Sequence, residues 1–227
     1  LTFFVALFLI ILSFLIGERS NFIKTFLLIT IFLTVLNQVK FKELIAALIL
    51  IVFSLILFLN LNKDYKLRYF EQVKILFQKK GISEYLDNSL YGAHYNVAKE
   101  IFKDNPIFGV GIKNFRIESH SNKKYENLDH PYNAKRGSTH PHQIHYEFLS
   151  ETGLFGYFTF AIFILLSFYL CLKEYFKSRN LYQLSGMLFV LISLLPLLPS
   201  GSFFSTYTSG LFWLNYAIMV GYINKTN

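Results

Sequence analysis

Residues Phe148 to Leu172 read F-L-S-E-T-G-L-F-G-Y-F-T-F-A-I-F-I-L-L-S-F-Y-L-C-L, with Glu151 as the only charged side chain. A helix needs roughly 20 apolar residues to cross the ~30 Å hydrocarbon core of a bilayer, and this stretch exceeds that length. Over all 227 residues, 53% are apolar and only 16% are charged, and the mean hydropathy is +0.40. A soluble domain carries about a quarter charged residues. The sequence therefore predicts an integral membrane protein.

Other apolar segments of near-spanning length flank this stretch, and too little polar sequence remains to cover them as core helices of a soluble protein. The predicted fold class is all-α, a polytopic transmembrane helical bundle with one long, partly helical loop. We expect three transmembrane helices in 1–61, the loop in 62–146, and three more helices with a short tail in 147–227. The six predicted spans are Leu1–Ile16, Phe22–Asn37, Leu44–Leu61, Phe148–Leu172, Tyr182–Leu198 and Tyr207–Tyr222.

Positive charges in the short loops predict the orientation of these spans. They all fall on one side, which we assign to the cytoplasm, so that the long loop and the turns Gly17–Asn21 and Pro199–Thr206 lie outside, in the periplasm or the extracellular space. The spread of Lys and Arg over loops also argues against nucleic acid as a partner, despite a formal charge of +8, and favours anionic lipid or phosphate. The charges that set the orientation are Lys40, Lys42, Lys173, Lys177, Arg179 and Lys225.

The single cysteine and the first residues of the sequence bear on the general class of the protein. Cys171 stands alone inside an apolar run, which excludes a disulfide framework and a Cys-rich metal site. The sequence starts at Leu1 without an initiator Met or a basic stretch before its first apolar run. We therefore expect it to be the C-terminal part of a longer protein.

The long loop shows two helical patterns and a polar region. Lys63 to Lys80 has the pattern of an amphipathic helix on the membrane surface, and Tyr91 to Phe102 places aromatic and small residues on one helical face. Asp104-Asn105-Pro106 predicts the end of the second helix, and Gly109-Val110-Gly111 predicts a turn. Asn114 to Gly137 is polar and predicted to be irregular.

The densest group of titratable residues is G-S-T-H-P-H-Q-I-H, from Gly137 to His145, directly before the fourth predicted span. Imidazole titrates near neutrality, so a histidine here can take a proton from an acceptor hydroxyl. Two other interpretations remain open. The histidines can simply cover a hydrated helix entrance, or His140, His142 and His145 can bind zinc, although no Cys and no carboxylate pair supports a metal.

Charged and small residues next to this group have both structural and functional interpretations. Glu147 and Glu151 lie in the first turns of a predicted helix, where carboxylates interact favourably with the helix dipole. Gly153 and Gly156 are expected to let a neighbouring helix approach closely. Arg19 lies in an external turn, against the positive-inside trend, and needs an anionic partner, either Glu18 or a phosphate.

Two motifs together resemble the C-terminal signature of the O-antigen ligase and O-antigen polymerase superfamily. The first is N-P-I-F-G-V-G-I-K-N-F-R, from Asn105 to Arg116, and the second is S-T-H-P-H-Q-I-H-Y-E-F-L-S-E-T-G-L-F-G, from Ser138 to Gly156. They follow a short external turn with an arginine and lie on either side of a polar gap in a long external loop, in the order typical of that superfamily.

This resemblance implies a multi-span inner-membrane glycosyltransferase that needs no nucleotide, metal or other cofactor. Such an enzyme takes a glycan from an undecaprenyl-pyrophosphate carrier and joins it to an acceptor sugar, lipid A-core in a ligase, at a periplasmic site. The resemblance implies that His142 is the catalytic base. It assigns the pyrophosphate to Arg19, with His94, Arg116 and Arg136 as the further candidates, and supporting roles to His140, Gln143, His145 and Glu151.

Two departures from the family pattern concern the site. Gln143 follows the family histidine where Asn is usual, and Tyr91-Gly92-Ala93-His94-Tyr95 stands where a second arginine is common. The leading hypothesis is an O-antigen ligase. The alternatives are an O-antigen polymerase, a protein O-oligosaccharyltransferase, and, from a different class, a transporter or channel fragment. The near absence of charge within the spans disfavours the last.

Overall fold

The computed structural model describes residues 2–36, 88–196 and 198–223, together with the isolated residues 42, 66, 81 and 86. These residues form seven α-helices and two short 3-10 helices, and no strand occurs among them. The all-α prediction is confirmed for this part of the chain. The predicted span Leu44–Leu61 and the predicted surface helix Lys63–Lys80 fall outside the described ranges. The chain divides into two compact units, residues 1–84 and 85–227.

The described part of the first unit is a pair of apolar helices, α1 (Thr2–Leu15) and α2 (Arg19–Val35). Ala6 and Ile10 of α1 belong to one buried cluster with Ile29 and Leu33 of α2. The turn between the helices passes through Gly17, whose φ of 81° is a left-handed conformation that glycine adopts without strain. Both helices coincide with predicted spans.

The second unit begins with α3 (Leu90–Asp104) and α4 (Phe115–Ser121). The hydroxyl of Ser89 caps α3 by accepting a hydrogen bond from the Gly92 nitrogen at 3.0 Å. The helix ends directly before Asn105-Pro106, as predicted. The prediction that 114–137 is irregular is wrong in part, because α4 and the 3-10 helices Lys123–Tyr125 and Asn133–Lys135 lie there. Buried apolar side chains explain this order: Val97, Ala98 and Ile101 of α3 pack with Phe115 and Tyr125.

Three helices follow, α5 (Ile144–Ser178), α6 (Leu181–Ser193) and α7 (Thr206–Val220). Among the described helices, only α5 is both long and apolar enough to cross a membrane. Just 11% of its most apolar window is buried, which is unlike the core helix of a soluble protein. The other predicted spans in the described ranges are helical but shorter, with 13 to 17 residues.

Packing among α5, α6 and α7 fixes the turn that joins α6 to α7. A Cβ on Gly186 of α6 would lie 2.6 Å from the Asn215 oxygen of α7, so these helices touch through their backbones. Cys171 is fully buried, and its Sγ donates a hydrogen bond to the Met219 oxygen at 3.4 Å. In the turn itself, the buried ring of Phe203 contacts the rings of Phe148 and Phe212 at centroid distances of 5.1 and 5.0 Å.

Candidate active site

The histidine motif forms a tight turn that leads into α5. Gln143 caps the helix, because its side-chain oxygen accepts a hydrogen bond from the Tyr146 nitrogen at 2.9 Å. His142 precedes the cap with a φ of 59°, a left-handed conformation that is uncommon for a residue with a side chain. The amide at position 143 therefore shapes the helix entrance, and the backbone of His142 is held in a strained conformation of the kind that concentrates at functional sites.

Three imidazole rings meet at this turn and define what we call the histidine cluster, His94, His140 and His142. The ring of His142 lies 4.1 Å from that of His140 and 5.3 Å from that of His94, measured between centroids. His94 comes from α3 and is 4% exposed. Tyr91, one turn earlier on α3, meets the His142 ring edge-on at 5.4 Å. Residues of α3 and of the histidine motif are thus brought together in one site.

Each ring of the histidine cluster has a hydrogen-bond partner. The Nε2 of His142 lies 3.1 Å from the hydroxyl oxygen of Ser138. His140 donates from Nε2 to the Ser200 oxygen at 3.2 Å, and His94 donates from Nδ1 to the Arg136 oxygen at 3.0 Å. Because carbonyl oxygens only accept, these bonds fix the proton positions of His140 and His94. The hydroxyl of Ser138 can either donate to His142 or accept from it.

Burial and mutual repulsion keep the histidine cluster neutral. Burial lowers the pKa of His142 to about 4, and the neighbouring His140 and His94 rings add to this effect. Burial is also the main cause that lowers the pKa of His94 and of His140, while their bonds to carbonyl oxygens oppose it. At neutral pH the His142 ring therefore carries an unprotonated nitrogen that can accept a proton.

Glu147 anchors the turn 199–205 to the start of α5. Its carboxylate is 1% exposed and accepts hydrogen bonds from the Ser202 hydroxyl at 2.5 Å and the Phe203 nitrogen at 2.7 Å. This turn carries Ser200, whose nitrogen donates to the His142 oxygen at 2.8 Å. Glu147 is therefore more than a partner of the helix dipole, because it holds the segment that brackets the histidine cluster.

Glu151 performs a similar task for the N-P-I-F-G-V-G segment. Its buried carboxylate accepts hydrogen bonds from the nitrogens of Lys113 and Phe115, at 2.6 and 3.2 Å, just where α4 begins. The nitrogen of Gly111 donates to the Glu151 backbone oxygen at 2.8 Å. The two glutamates, one helical turn apart, thus bind different segments: Glu147 binds the turn 199–205, and Glu151 binds the start of α4.

Gly153 marks a kink in α5, with a φ of 63° and a ψ of −166°. A Cβ there would lie 2.4 Å from the carbonyl carbon of Ile107, and a Cβ on Gly109 would lie 2.4 Å from that of Glu151. The nitrogens freed by the kink donate to the oxygens of Pro106 and Ile107. The expectation that Gly153 receives a neighbouring helix is therefore wrong, because the loop 106–109 occupies that place. At Gly156 the nearest side chain is Thr152 of the same helix.

His145 points away from the histidine cluster. Its Nδ1 lies 3.0 Å from the Tyr157 hydroxyl oxygen, and its Nε2 donates to the Leu194 oxygen at 2.9 Å. The spacing that suggested zinc therefore does not bring His140, His142 and His145 together around one point. Among the described residues, no group of three or more His, Cys, Asp or Glu side chains has a metal-binding arrangement.

The arginine candidates occupy different places. Arg136 follows the second 3-10 helix, and its buried Nε has no hydrogen-bond partner in the part of the chain that the structure describes. Arg116 is exposed on α4, one turn before Ser119, whose hydroxyl lies 3.4 Å from the Ser138 nitrogen and oxygen. Arg19 is the first residue of α2, in the other compact unit.

Sequence reasoning missed Tyr91, Ser200 and the anchoring role of Glu147. Like the Nε of Arg136, the hydroxyl oxygen of Ser200 is buried without a hydrogen-bond partner in the described ranges. Both unpaired atoms belong to residues whose backbone binds the histidine cluster. Buried polar atoms are nearly always paired, so these two atoms are free to bind a polar ligand. No local signal in the sequence joins Ser200 to a histidine so far away.

In the part of the chain that the structure describes, the regular elements are helices, one helix is long and apolar enough to cross a membrane, and a buried polar site lies at the start of that helix. The O-antigen ligase family model matches residues 4–161, which is more than half of the chain. The chain therefore belongs to the O-antigen ligase family, and the resemblance drawn from its motifs is confirmed. No match was found among curated proteins. Membership implies a membrane-embedded transferase of lipopolysaccharide biosynthesis that acts on lipid-linked glycans.

Proposed function

We propose that this protein is an O-antigen ligase, which joins the glycan of an undecaprenyl-pyrophosphate carrier to lipid A-core, with His142 as the general base. The observation that carries this proposal is the neutral His142 ring, which lies in a left-handed turn at the entrance of α5 with its Nε2 on a hydroxyl group.

The proposed step is a single displacement at the anomeric carbon. The acceptor oxygen forms a bond to that carbon while its proton moves to His142. The bond from the carbon to the pyrophosphate oxygen breaks, and the electron pair leaves with the pyrophosphate. Attack from the face opposite the leaving group inverts the anomeric configuration. General-base assistance of this kind contributes about 10²–10⁴-fold to a rate.

A pKa of about 4 makes His142 available but weakly basic before substrate binds. The pyrophosphate of the donor changes this balance, because a nearby anion stabilises an imidazolium and raises its pKa. The basicity needed for proton transfer would then develop only in the complex with the donor lipid. This coupling also limits proton uptake when no donor is bound.

Cations around the histidine cluster are proposed to hold the pyrophosphate and to stabilise the charge that develops on it. Arg136 offers a buried guanidinium nitrogen without a partner in the described ranges, and its backbone binds His94. Arg116 is exposed on α4. Arg19 keeps its proposed role from the family motif, and His94 takes the position where relatives commonly carry a second arginine. His140, Gln143, His145 and Glu151 are proposed to support the site.

The proposed setting is the inner membrane of a bacterium, crossed several times, with the loop and its site on the periplasmic side. The hydropathy pattern and the positive charges of the short loops support this topology. In the described ranges, α5 supports it by its length and apolar surface.

The experiment uses the full-length gene in a ligase-deficient Gram-negative host, with lipopolysaccharide resolved on a gel. The wild-type gene should restore long-chain O-antigen, and His142→Ala should abolish it. His120→Ala is the matched control, because His120 is an exposed histidine of α4 outside the histidine cluster. Restored O-antigen in the His142→Ala strain would overturn the assignment of the base. Restoration of long-chain O-antigen only in a polymerase-deficient host would show that the protein is an O-antigen polymerase and not a ligase.

A further inference from the structure

A second polar cleft lies next to the histidine cluster and shares one residue, Arg136, with the pyrophosphate contacts proposed above. It has a volume of about 870 Å³ and is formed by residues 126–136. Sites for small molecules typically measure about 300–1,000 Å³. Its lining includes six polar residues, Glu126, Asn127, Asp129, His130, Asn133 and Arg136, together with Leu128, Pro131 and Ala134.

The walls of the cleft are held by hydrogen bonds. The Asn133 side chain donates to the backbone oxygens of Tyr125 and Glu126, at 3.3 and 2.7 Å. His130 donates from Nε2 to the Leu86 oxygen at 3.0 Å and accepts from the Tyr132 nitrogen at 3.1 Å. A site held in this way loses little conformational entropy when a ligand binds.

The chemistry of the cleft fits a neutral polyhydroxylated ligand. Glu126 and Asp129 offer carboxylate oxygens that accept from hydroxyl groups, while Asn127 both donates and accepts. Carboxylates outnumber the one arginine of the lining, which disfavours an anion such as pyrophosphate.

Arg136 connects the cleft to the histidine cluster. Arg136 is one of the residues that line the cleft, and its backbone oxygen accepts from His94, whose ring lies 5.3 Å from that of His142. We propose that the cleft binds a neutral saccharide segment of the enzyme's glycan substrate, adjacent to the sugar that reacts at His142. This inference rests on the proposed function. The saccharide can belong to the donor glycan or to the acceptor.

The test measures equilibrium binding of two soluble probes to purified full-length protein. One probe is the oligosaccharide released from the lipid-linked donor, and the other is delipidated core oligosaccharide, both from cells that carry the gene. Ala134→Trp places a large ring in the cleft, since Ala134 is exposed and lines it. Lys135→Trp is the matched control, because Lys135 is the next residue of the same 3-10 helix and is exposed outside the lining.

We expect Ala134→Trp to weaken the binding of one probe by roughly tenfold or more. The affected probe identifies the donor or the acceptor as the source of the saccharide. Lys135→Trp should change both affinities by less than about twofold, as for other surface substitutions. Asp129→Ala is a second, milder variant. It should weaken the binding of the same probe by roughly fivefold through the loss of a hydrogen bond.

Binding that is unchanged in Ala134→Trp and Asp129→Ala, or absent in the wild-type protein, would overturn the proposed saccharide site. This result is distinguishable from a failure of the proposed function. If His142→Ala retained transfer activity while Ala134→Trp lost binding, the catalytic assignment would be wrong and the saccharide site would stand.

Discussion

The nitrogen of Ser200 donates a hydrogen bond of 2.8 Å to the backbone oxygen of His142. The Ser200 oxygen in turn accepts from His140. A short turn between two apolar helices is therefore part of the histidine site, although it contributes no titratable side chain to it. The position of the His142 ring consequently depends on what holds this turn, which is the buried carboxylate of Glu147.

Glu147→Gln should reduce both stability and glycan transfer. The amide keeps one acceptor oxygen but replaces the other with a donor, which would face the Ser202 hydroxyl or the Phe203 nitrogen. Leaving a buried donor without an acceptor costs about 1–3 kcal/mol of unfolding free energy. Denaturant unfolding of the purified protein measures this cost.

Glu100→Gln is the control for this variant. Glu100 forms a surface ion pair with Lys103 at 2.6 Å, and such pairs contribute at most about 1 kcal/mol. Equal unfolding free energies for the two variants would contradict the anchoring role of Glu147.

Gly153→Ala and Gly109→Ala should each destabilise the protein strongly. Both glycines have positive φ, and a Cβ on either would lie 2.4 Å from a backbone carbon of the opposite segment. Left-handed strain alone costs about 1–3 kcal/mol, and the clash adds to it. Gly210→Ala on α7 is the control, because a Cβ there meets nothing within 4 Å. Equal melting temperatures for the three variants would contradict the close packing of the loop 106–109 against α5 at Gly153.

The contribution of His142 to stability should rise with pH between about pH 4 and pH 6.5. The folded pKa of His142 is about 4, below its ordinary value of 6.5, so in this range the unfolded chain binds more protons than the folded protein. The contribution of the neutral ring is fully present above pH 6.5 and is lost as pH falls toward 4. The unfolding free energy of the wild type minus that of His142→Gln should increase with pH across this range, because the other titrating groups are common to both proteins. A difference that does not change with pH would contradict the buried neutral histidine.

Ser138→Ala should lower kcat with little change in KM. The hydroxyl of Ser138 lies 3.1 Å from Nε2 of His142 and fixes the orientation of the ring. Losing one such hydrogen bond corresponds to roughly a tenfold reduction in rate. Ser121→Ala, at the exposed end of α4, is the control. A change confined to KM would instead indicate that Ser138 binds substrate.

The sequence predicts those features of the fold that have a local cause. The spacing of apolar residues predicts the helix that the structure places at Leu90–Asp104, and Asn105-Pro106 predicts its end. The histidine motif before α5 also identified the region of the candidate site. His94 was inferred from a departure in the family pattern, and the structure places its ring beside His142.

Features that depend on distant contacts could not be predicted in the same way. Two glycines three residues apart are compatible both with the packing of a neighbouring helix and with a kink. Only the contact of the loop 106–109 with Gly153, which the local sequence does not show, decides between the two. Glu147 and Glu151 have the same local setting, yet they bind segments on opposite sides of them in sequence. The buried side chains of Phe115 and Tyr125 likewise stabilise helical turns in a polar region that the sequence pattern predicted to be irregular.

The central claim is that the imidazole of His142 accepts the proton of the acceptor hydroxyl, and His142→Gly tests it most directly. Because His142 already has a φ of 59°, glycine should fit its backbone without strain. Purified full-length protein with lipid-linked glycan donor and core acceptor should lose transfer by at least about 10²-fold in this variant. Added imidazole should restore part of the rate, with no effect on the wild type or on His120→Gly. Full activity of His142→Gly without imidazole would contradict the account.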